Sequence, residues 1–396
     1  MQKKWIVIMV LVMALIPFSQ LHAVGGRPGI DTGPLPDLCI VNGLLMQHSY
    51  PIHQRDVDHA LQQRRPLEFT TNGYYCLAEN ITVNATQASF TTGAVSIINF
   101  NLTMNTPYSG STTVFYLAGY TIRNQAANNG TDYSGLPAIR LTNSFAPWLF
   151  LNALQVKNGT IANFGTGILS TDRWHTIELR NLTFQSVIDP AIVEQTPSLI
   201  FVGNTILNGN TGVNISNVGR VTIATSTFML SRTTGLISRY SPRSAIFIDQ
   251  NATTIPTGLI RSNIISLGFP STEKQYGILG KMRETTVEGN TIRYASAGMG
   301  IFMLSGRSNV VRGNDVHANY DCWDGSGFQG KGIVVFNEQD ISILNNLLYG
   351  PFRPAIGLTG TTSGRVQGNM MFRVLPQNSI LNASSGALSI KNNTTV

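Results

Sequence analysis

Asp315, His317, Asp321, Asp324 and Lys331 fall in one short stretch of the chain, and their types suit proton transfer on an acidic sugar. An imidazole flanked by carboxylates can act as a general base near neutral pH. A cation beside it can neutralise a uronic carboxylate and make the neighbouring C–H easier to deprotonate. Arg293 supplies that cation if the chain repeats in the register described below. Such a set would serve β-elimination or C5 epimerisation. The other reading is structural: Asp321 and Asp324 shape turns with Gly325 and Gly327, and His317 is an exposed residue on a regular element. The three aspartates are also the oxygen ligands that Ca²⁺ takes, although no Asp-x-Asp-x-Asp spacing accompanies them. No other cofactor is expected.

These residues sit inside a repeat. Val287–Ile292, Val311–Val316, Ile343–Leu348 and Val366–Met371 share one pattern: apolar, any residue, Gly or Asn, Asn, any residue, apolar. Fainter copies run through Val156–Ile161, Leu179–Phe184, Phe201–Ile206, Ile223–Phe228 and Ile260–Ile265, and a last one is Ile390–Thr395. Most copies are ~22–24 residues apart, a period that signals a solenoid. The apolar ends suit inward-facing strand positions. The Gly-Asn step suits a tight corner, because both residues tolerate positive φ. Stacked copies place Asn204, Asn263, Asn290, Asn314, Asn346, Asn369 and Asn393 in one column, interrupted only by Ser226. Their amides can then bond from coil to coil. Leucine-rich repeats share the period but need a run of leucines that is missing here. The pattern predicts an all-β chain: a single-stranded, right-handed parallel β-helix of about a dozen coils with an asparagine ladder.

A second strand per coil opens with Gly-Ile or its like, at Gly167-Ile168, Gly212-Val213, Gly277-Ile278, Gly300-Ile301 and Gly332-Ile333. Alternation then turns Leu169, Val193, Asn214, Leu279, Phe302 and Val334 outward. A stripe this apolar needs a cover. The two insertions, Met229–Ser244 and Ala318–Lys331, are candidates, and so is a second copy of the chain in a homo-oligomer. Arg261, Glu288 and Arg312 share another outward column and read as a surface salt-bridge ladder or as an arginine patch for acidic sugars.

The ends differ from the middle. Met1–Ala23 has basic Lys3 and Lys4, an apolar run too short to span a bilayer, and a small residue at its close. It reads as a cleaved secretory signal, which places the mature chain outside the cell or in the periplasm. No later stretch is apolar enough for a membrane span. Residues 24–73 do not repeat and are expected to cap the solenoid, with residues 74–396 forming the β-helix. Of the three cysteines, Cys39 and Cys76 form the expected disulfide in an exported chain, leaving Cys322 free or pairing between chains. Charged residues are only 12% of the sequence and the formal charge is +7, nearly all of the excess being Arg. That permits an acidic polymer as partner. With no basic run or recognition motif, a nucleic-acid partner is not expected.

The early coils carry Tyr74-Tyr-Cys-Leu-Ala-Glu-Asn-Ile81, then Val114-Phe-Tyr-Leu-Ala-Gly-Tyr-Thr-Ile122, then Leu154-Gln-Val-Lys-Asn-Gly-Thr-Ile161. This succession resembles the secreted, pectin-lyase-like β-helix proteins, and the resemblance covers residues 74–396. It implies the fold. It does not single out an activity, because that superfamily contains lyases, hydrolases, epimerases and non-catalytic surface proteins. The Asn-Thr-Asp, Asp-Asp, Gly-His-Gly and Arg-Ile-Lys motifs of galacturonan hydrolases are missing. Arg239-Tyr-Ser-Pro-Arg243 only approaches the Arg-x-x-Pro-x-x-Arg of lyases. The expectation is a secreted β-helix that binds a polysaccharide, surface glycan or other macromolecule. The alternatives are a lyase or epimerase on a uronic polymer, and a structural or adhesive rod.

Overall fold

The copies of the repeated motif from Phe201 onward fold alike, whereas Val156–Ile161 and Leu179–Phe184 lie within the single strands Ala153–Ala162 and Thr176–Gln185; the reason for the shared form is visible in one coil. The strand Thr285–Glu288 buries Val287, the chain turns at Gly289-Asn290, and the strand Thr291–Tyr294 buries Ile292. A third strand, Met299–Leu304, buries Ile301 and Met303. The next coil repeats the sequence with Val310–Arg312, Asp315–Ala318 and Lys331–Phe336. Register is parallel throughout: Val287 pairs with Val311, Ile292 with Val316, and Ile301 with Ile333. Each inward column is therefore a continuous file of apolar side chains, aliphatic in most coils and Phe at Phe115, Phe184, Phe201 and Phe228. These strands are hereafter the pre-corner, post-corner and Gly-Ile strands.

The computed structural model describes residues 40–41, 44–45, 49–84, 96–102, 112–125, 136–143, 153–172, 174–231, 243–249, 251–268, 274–294, 298–318 and 330–396. The chain divides into Met1–Asp37 and Leu38–Val396, and the coils lie in the second unit. The Gly-Ile strands form one twelve-stranded parallel sheet. Met1–Ala23, the stretch expected to be a secretory signal, and Cys39, Arg239, Asp321, Cys322 and Asp324 lie outside the described residues.

The corner obeys the expected chemistry. The residue before each ladder asparagine is left-handed: Gly289 and Gly313 at φ 59°, Gly368 at 69°, Asn345 at 52° and Ser262 at 52°. The asparagine itself is buried at every rung but Asn393, which is half-buried. Asn314 Oδ1 accepts from the backbone N–H of Asn290 (3.1 Å) and from its Nδ2 (2.9 Å). Asn314 Nδ2 donates to the Val287 carbonyl and to Asn346 Oδ1, each at 2.9 Å. The same rungs join Asn263 to Asn290, Asn346 to Asn369 and Asn369 to Asn393. At the break, Ser226 Oγ accepts from the Asn204 N–H and the Ser226 N–H donates to Asn263 Oδ1. The ladder begins where Leu182 N–H donates to Asn204 Oδ1.

The Gly-Ile signature has a steric cause. A Cβ on Gly167, Gly212, Gly277, Gly300 or Gly332 would lie 2.3–2.8 Å from Phe184, Phe228, Ile292, Val316 or Leu348 respectively. Each of these is the second apolar residue of the motif in the following coil. The chain crosses its own core so closely there that no side chain fits.

The segment expected to be a cap contributes strands of its own. Ser49–Ile52 pairs in parallel with Tyr74–Leu77, and Leu67–Phe69 with Ile98–Leu102. Between them, where later coils have a post-corner strand, lies helix α1, Gln54–Gln62, with Val57 and Ala60 buried. A short antiparallel pair, Ile40–Val41 with Leu44–Leu45, precedes it. Cys76 is disulfide-bonded. Among the described residues, no helix is long and apolar enough to cross a membrane.

The apolar stripe needs two corrections. Val193 faces the core, fully buried, and Ile192 takes its place in the outward file. That file also gains Phe247, so it runs Leu169, Ile192, Asn214, Phe247, Leu279, Phe302, Val334. Within the single chain Ile192 is 2% exposed, Leu279 6% and Val334 8%. Phe302 stacks on Tyr276 at 6.2 Å. Pro354 lies against the outer side of the neighbouring Gly357. Ile192, Leu279 and Val334 therefore need no second subunit to leave water, whereas Leu169, Phe247 and Phe302 remain partly exposed in the single chain.

Candidate functional site

The register sets Arg293, His317 and Tyr349 side by side on three successive post-corner strands, and Phe372 follows on a fourth. Their alternation with the buried Ile292, Val316, Leu348 and Met371 turns all four side chains outward. The His317 and Tyr349 rings are 5.5 Å apart, and Tyr349 and Phe372 are 6.4 Å apart. The Arg373 guanidinium lies 5.1 Å from the centre of the Tyr349 ring, within cation–π range. Upstream the same file reads Gln185, Leu207, Met229 and Ser266, without ring or charge. Further up the file lie Ala162 and the exposed Arg123, so a cation recurs there, but among the described residues the rings of this file stand only in the coils from His317 onward.

Asp315 occupies the outward position two residues before His317, and its Oδ1 is 2.6 Å from His317 Nε2. The contact is close but off the axis that an imidazole N–H needs for a hydrogen bond. It is an ion-pair contact when His317 is protonated, not an aligned acid–base relay. Arg293 is on the adjacent strand and exposed. Three of the six predicted site residues, Arg293, Asp315 and His317, are therefore brought together. Lys331 is not among them. It opens the Gly-Ile strand of its coil, opposite Met299, where its carbonyl accepts the Tyr294 hydroxyl at 2.5 Å. Burial raises the Tyr294 hydroxyl well above the usual phenol range, so this is a structural tie. Asp321 and Asp324 fall outside the described residues, and among those described no group of His, Cys, Asp or Glu is arranged to hold a metal ion.

The second charged column is a salt bridge. Arg312 Nη2 lies 2.6 Å from Glu288 Oε2, with Arg261 in register on the far side. Its exposed position makes it worth less than ~1 kcal/mol.

Sequence reasoning missed Phe372 and Arg373. Phe372 follows from extending the His317 file by two coils. It also missed Glu338, which is wholly buried and accepts from Gly306 N–H (2.8 Å) and Asn309 Nδ2 (3.0 Å). Burial pushes the Glu338 carboxyl up to about 7, against those two hydrogen bonds, which pull it down. Glu194 is raised by burial and then by the Asp249 carboxylate.

Three parallel strands per coil, an inward asparagine ladder and Gly-Ile crossings define a right-handed parallel β-helix. Residues 238–395 match the family model described as right handed beta helix region. The matched stretch contains Arg293, Asp315, His317, Tyr349, Phe372 and Arg373, and the fold is consistent with the pectin-lyase-like superfamily. A search of curated proteins finds no match to this chain.

Proposed function

We propose that this β-helix is an exported binding protein for anionic glycan chains, and that it holds them on the outward file Arg293–His317–Tyr349–Phe372. The observation that carries this reading is the joining of ring faces and cations in one file: Tyr349 lies between His317 and Phe372 and under Arg373. Half-exposed rings offer faces to sugar C–H groups, and Arg293 and Arg373 offer charge to carboxylates or sulfates. Coil spacing of ~4.8 Å sets these groups at short regular intervals along the axis, as a repeating polymer requires. Residues Met1–Ala23, read as a secretory signal, support a site of action where such polymers occur.

The Asp315–His317 contact supports a second reading, a lyase or epimerase with His317 as base. Its off-axis geometry weighs against it. One experiment separates the two. The mature chain is titrated with a panel of uronic and sulfated polysaccharides, and ultraviolet absorbance is followed for unsaturated ends. Binding without new absorbance, weakened at least tenfold in Tyr349→Ala, is the expected result. Absorbance that vanishes in His317→Ala would transfer the site to the enzyme reading. No binding to any member of the panel would remove the glycan proposal.

A further inference from the structure

We propose that the charge state of His317 gates the Arg293–His317–Tyr349–Phe372 file: an anionic chain is held when the imidazole is protonated and released when the proton is lost. The inference rests on the glycan reading above and adds its regulation. It starts from the placement of Asp315. Among the described residues of the strands Thr291–Tyr294, Asp315–Ala318, Leu347–Tyr349 and Met370–Phe372, Asp315 is the one carboxylate. Along the axis it falls between Arg293 and Arg373, the two cations offered to a polymer's anions.

Only His317 can compensate it. Asp315 is flanked in its own outward file by Thr291 and Leu347, which carry no charge. Among the described residues, the cation within ion-pair distance of Asp315 is His317, at 2.6 Å. Arg312, across the corner, is engaged by Glu288. Lys331, on the third strand of the coil, stands opposite Met299 and makes no ion pair among the described residues. The charged and titratable groups around His317 are therefore Asp315 on its own strand, Arg293 on the preceding coil, and Tyr349 with Arg373 over it on the following coils.

With His317 neutral, the Asp315 carboxylate stands uncompensated in the path of the polymer and repels the anions that the arginines attract. With His317 protonated, that carboxylate is neutralised at contact distance, and Arg293 and Arg373 act unopposed. The His317 and Asp315 side chains are 33% and 38% exposed, so solvent protons and ligand reach both without any opening of the fold. Imidazole changes charge between about pH 5 and about pH 8, where carboxylates and guanidinium groups keep theirs. One unit of charge ~5 Å from a polymer anion, in a site open to water, changes affinity about three- to tenfold.

The test is calorimetric titration of the mature chain with polygalacturonate and with dextran sulfate, at fixed ionic strength, from about pH 5 to about pH 8. The dissociation constant should rise about three- to tenfold across that range. His317→Gln should give a flat profile at the weak, high-pH affinity. Asp315→Asn should bind at about pH 8 as tightly as the unsubstituted chain does at about pH 5.5. Burial pushes the Glu338 carboxyl into the same range, so the His317→Gln profile is what assigns the dependence. A wild-type affinity that does not vary with pH, or that weakens toward acid, overturns the gate and leaves the glycan file standing. So does a wild-type profile retained in His317→Gln, or an Asp315→Asn chain that binds no tighter at high pH. The contacting atoms of the pair make no hydrogen bond, so both variants should keep their β circular dichroism; if one does not, the wild-type profile and the other variant decide. Binding of neither polymer at any pH overturns the gate and the glycan reading together.

Discussion

The side-chain amide of Gln54 stands in for a neighbouring strand at Thr82, taking up both the N–H and the C=O that an edge residue would leave open. Gln54 N–H is itself fixed by Glu79 Oε1 at 2.8 Å. One residue of α1 thus performs for the first post-corner strand what a whole strand performs for every later one. Gln54→Ala should release both groups to water. Because the site is exposed, the cost should be modest, about 1 kcal/mol, but Thr82 amide exchange should accelerate strongly. Exchange at Thr82 unchanged by the substitution would show that the edge is held by something else.

The ladder makes a larger claim. Asn314 holds partners in the coils on both sides, and all of them are buried. Asn314→Leu keeps the approximate volume and removes every one of those bonds. Each unpaired buried group costs ~1–3 kcal/mol, so the denaturation midpoint should fall substantially. A midpoint equal to that of the wild-type chain would refute the ladder's energetic role.

The fold was legible because its causes are local and periodic. Gly-Asn at a left-handed corner and Gly where the chain crosses its core are demanded coil by coil, so both appear as spaced residues. Register failed where the marker was missing. The strand Asp189–Glu194 opens with Asp189-Pro190, not Gly, so nothing in the sequence separated Val193 from Ile192. Arg243–Ile248 opens with no Gly either, and Phe247 went uncounted. The site was legible only as a file. His317 over Arg293 and under Tyr349 follows from the period. The reach of Arg373 over Tyr349 depends on its left-handed backbone, φ 56°, which no neighbouring residue announces. The Gln54–Thr82 pair joins a helix to a strand outside the repeat and leaves no periodic trace.

Glu338 makes stability depend on pH. Its folded-state carboxyl is raised from 4.5 to about 7, so between these values the folded chain holds a proton that the unfolded chain has released. Stability should therefore fall as pH rises through that window and level off above it, by on the order of 3 kcal/mol in total. Glu338→Gln cannot ionise and should flatten this part of the profile. Urea midpoints at several pH values from 5 to 8 provide the measurement. Parallel profiles for the two proteins would assign the dependence to another group.

The stripe on the Gly-Ile sheet yields a test of covering by the chain itself. Phe302→Asp inserts a carboxylate between Leu279 and Val334, both nearly buried. The melting temperature should drop while the sedimenting mass stays that of the unsubstituted chain at equal concentration. A drop in mass without a loss of stability would instead make this stripe the subunit contact.

Ser226 leaves the spine with one joint unlike the others. Side-chain amides bond to one another from Asn263 to Asn393, but across Ser226 only backbone-to-side-chain bonds remain. The strand ladders run unbroken past this joint, so Ser226 changes what holds the corners and leaves what holds the sheets: the coils from Asn263 onward are tied to one another at the corner by paired amides, and those before Ser226 by their backbones.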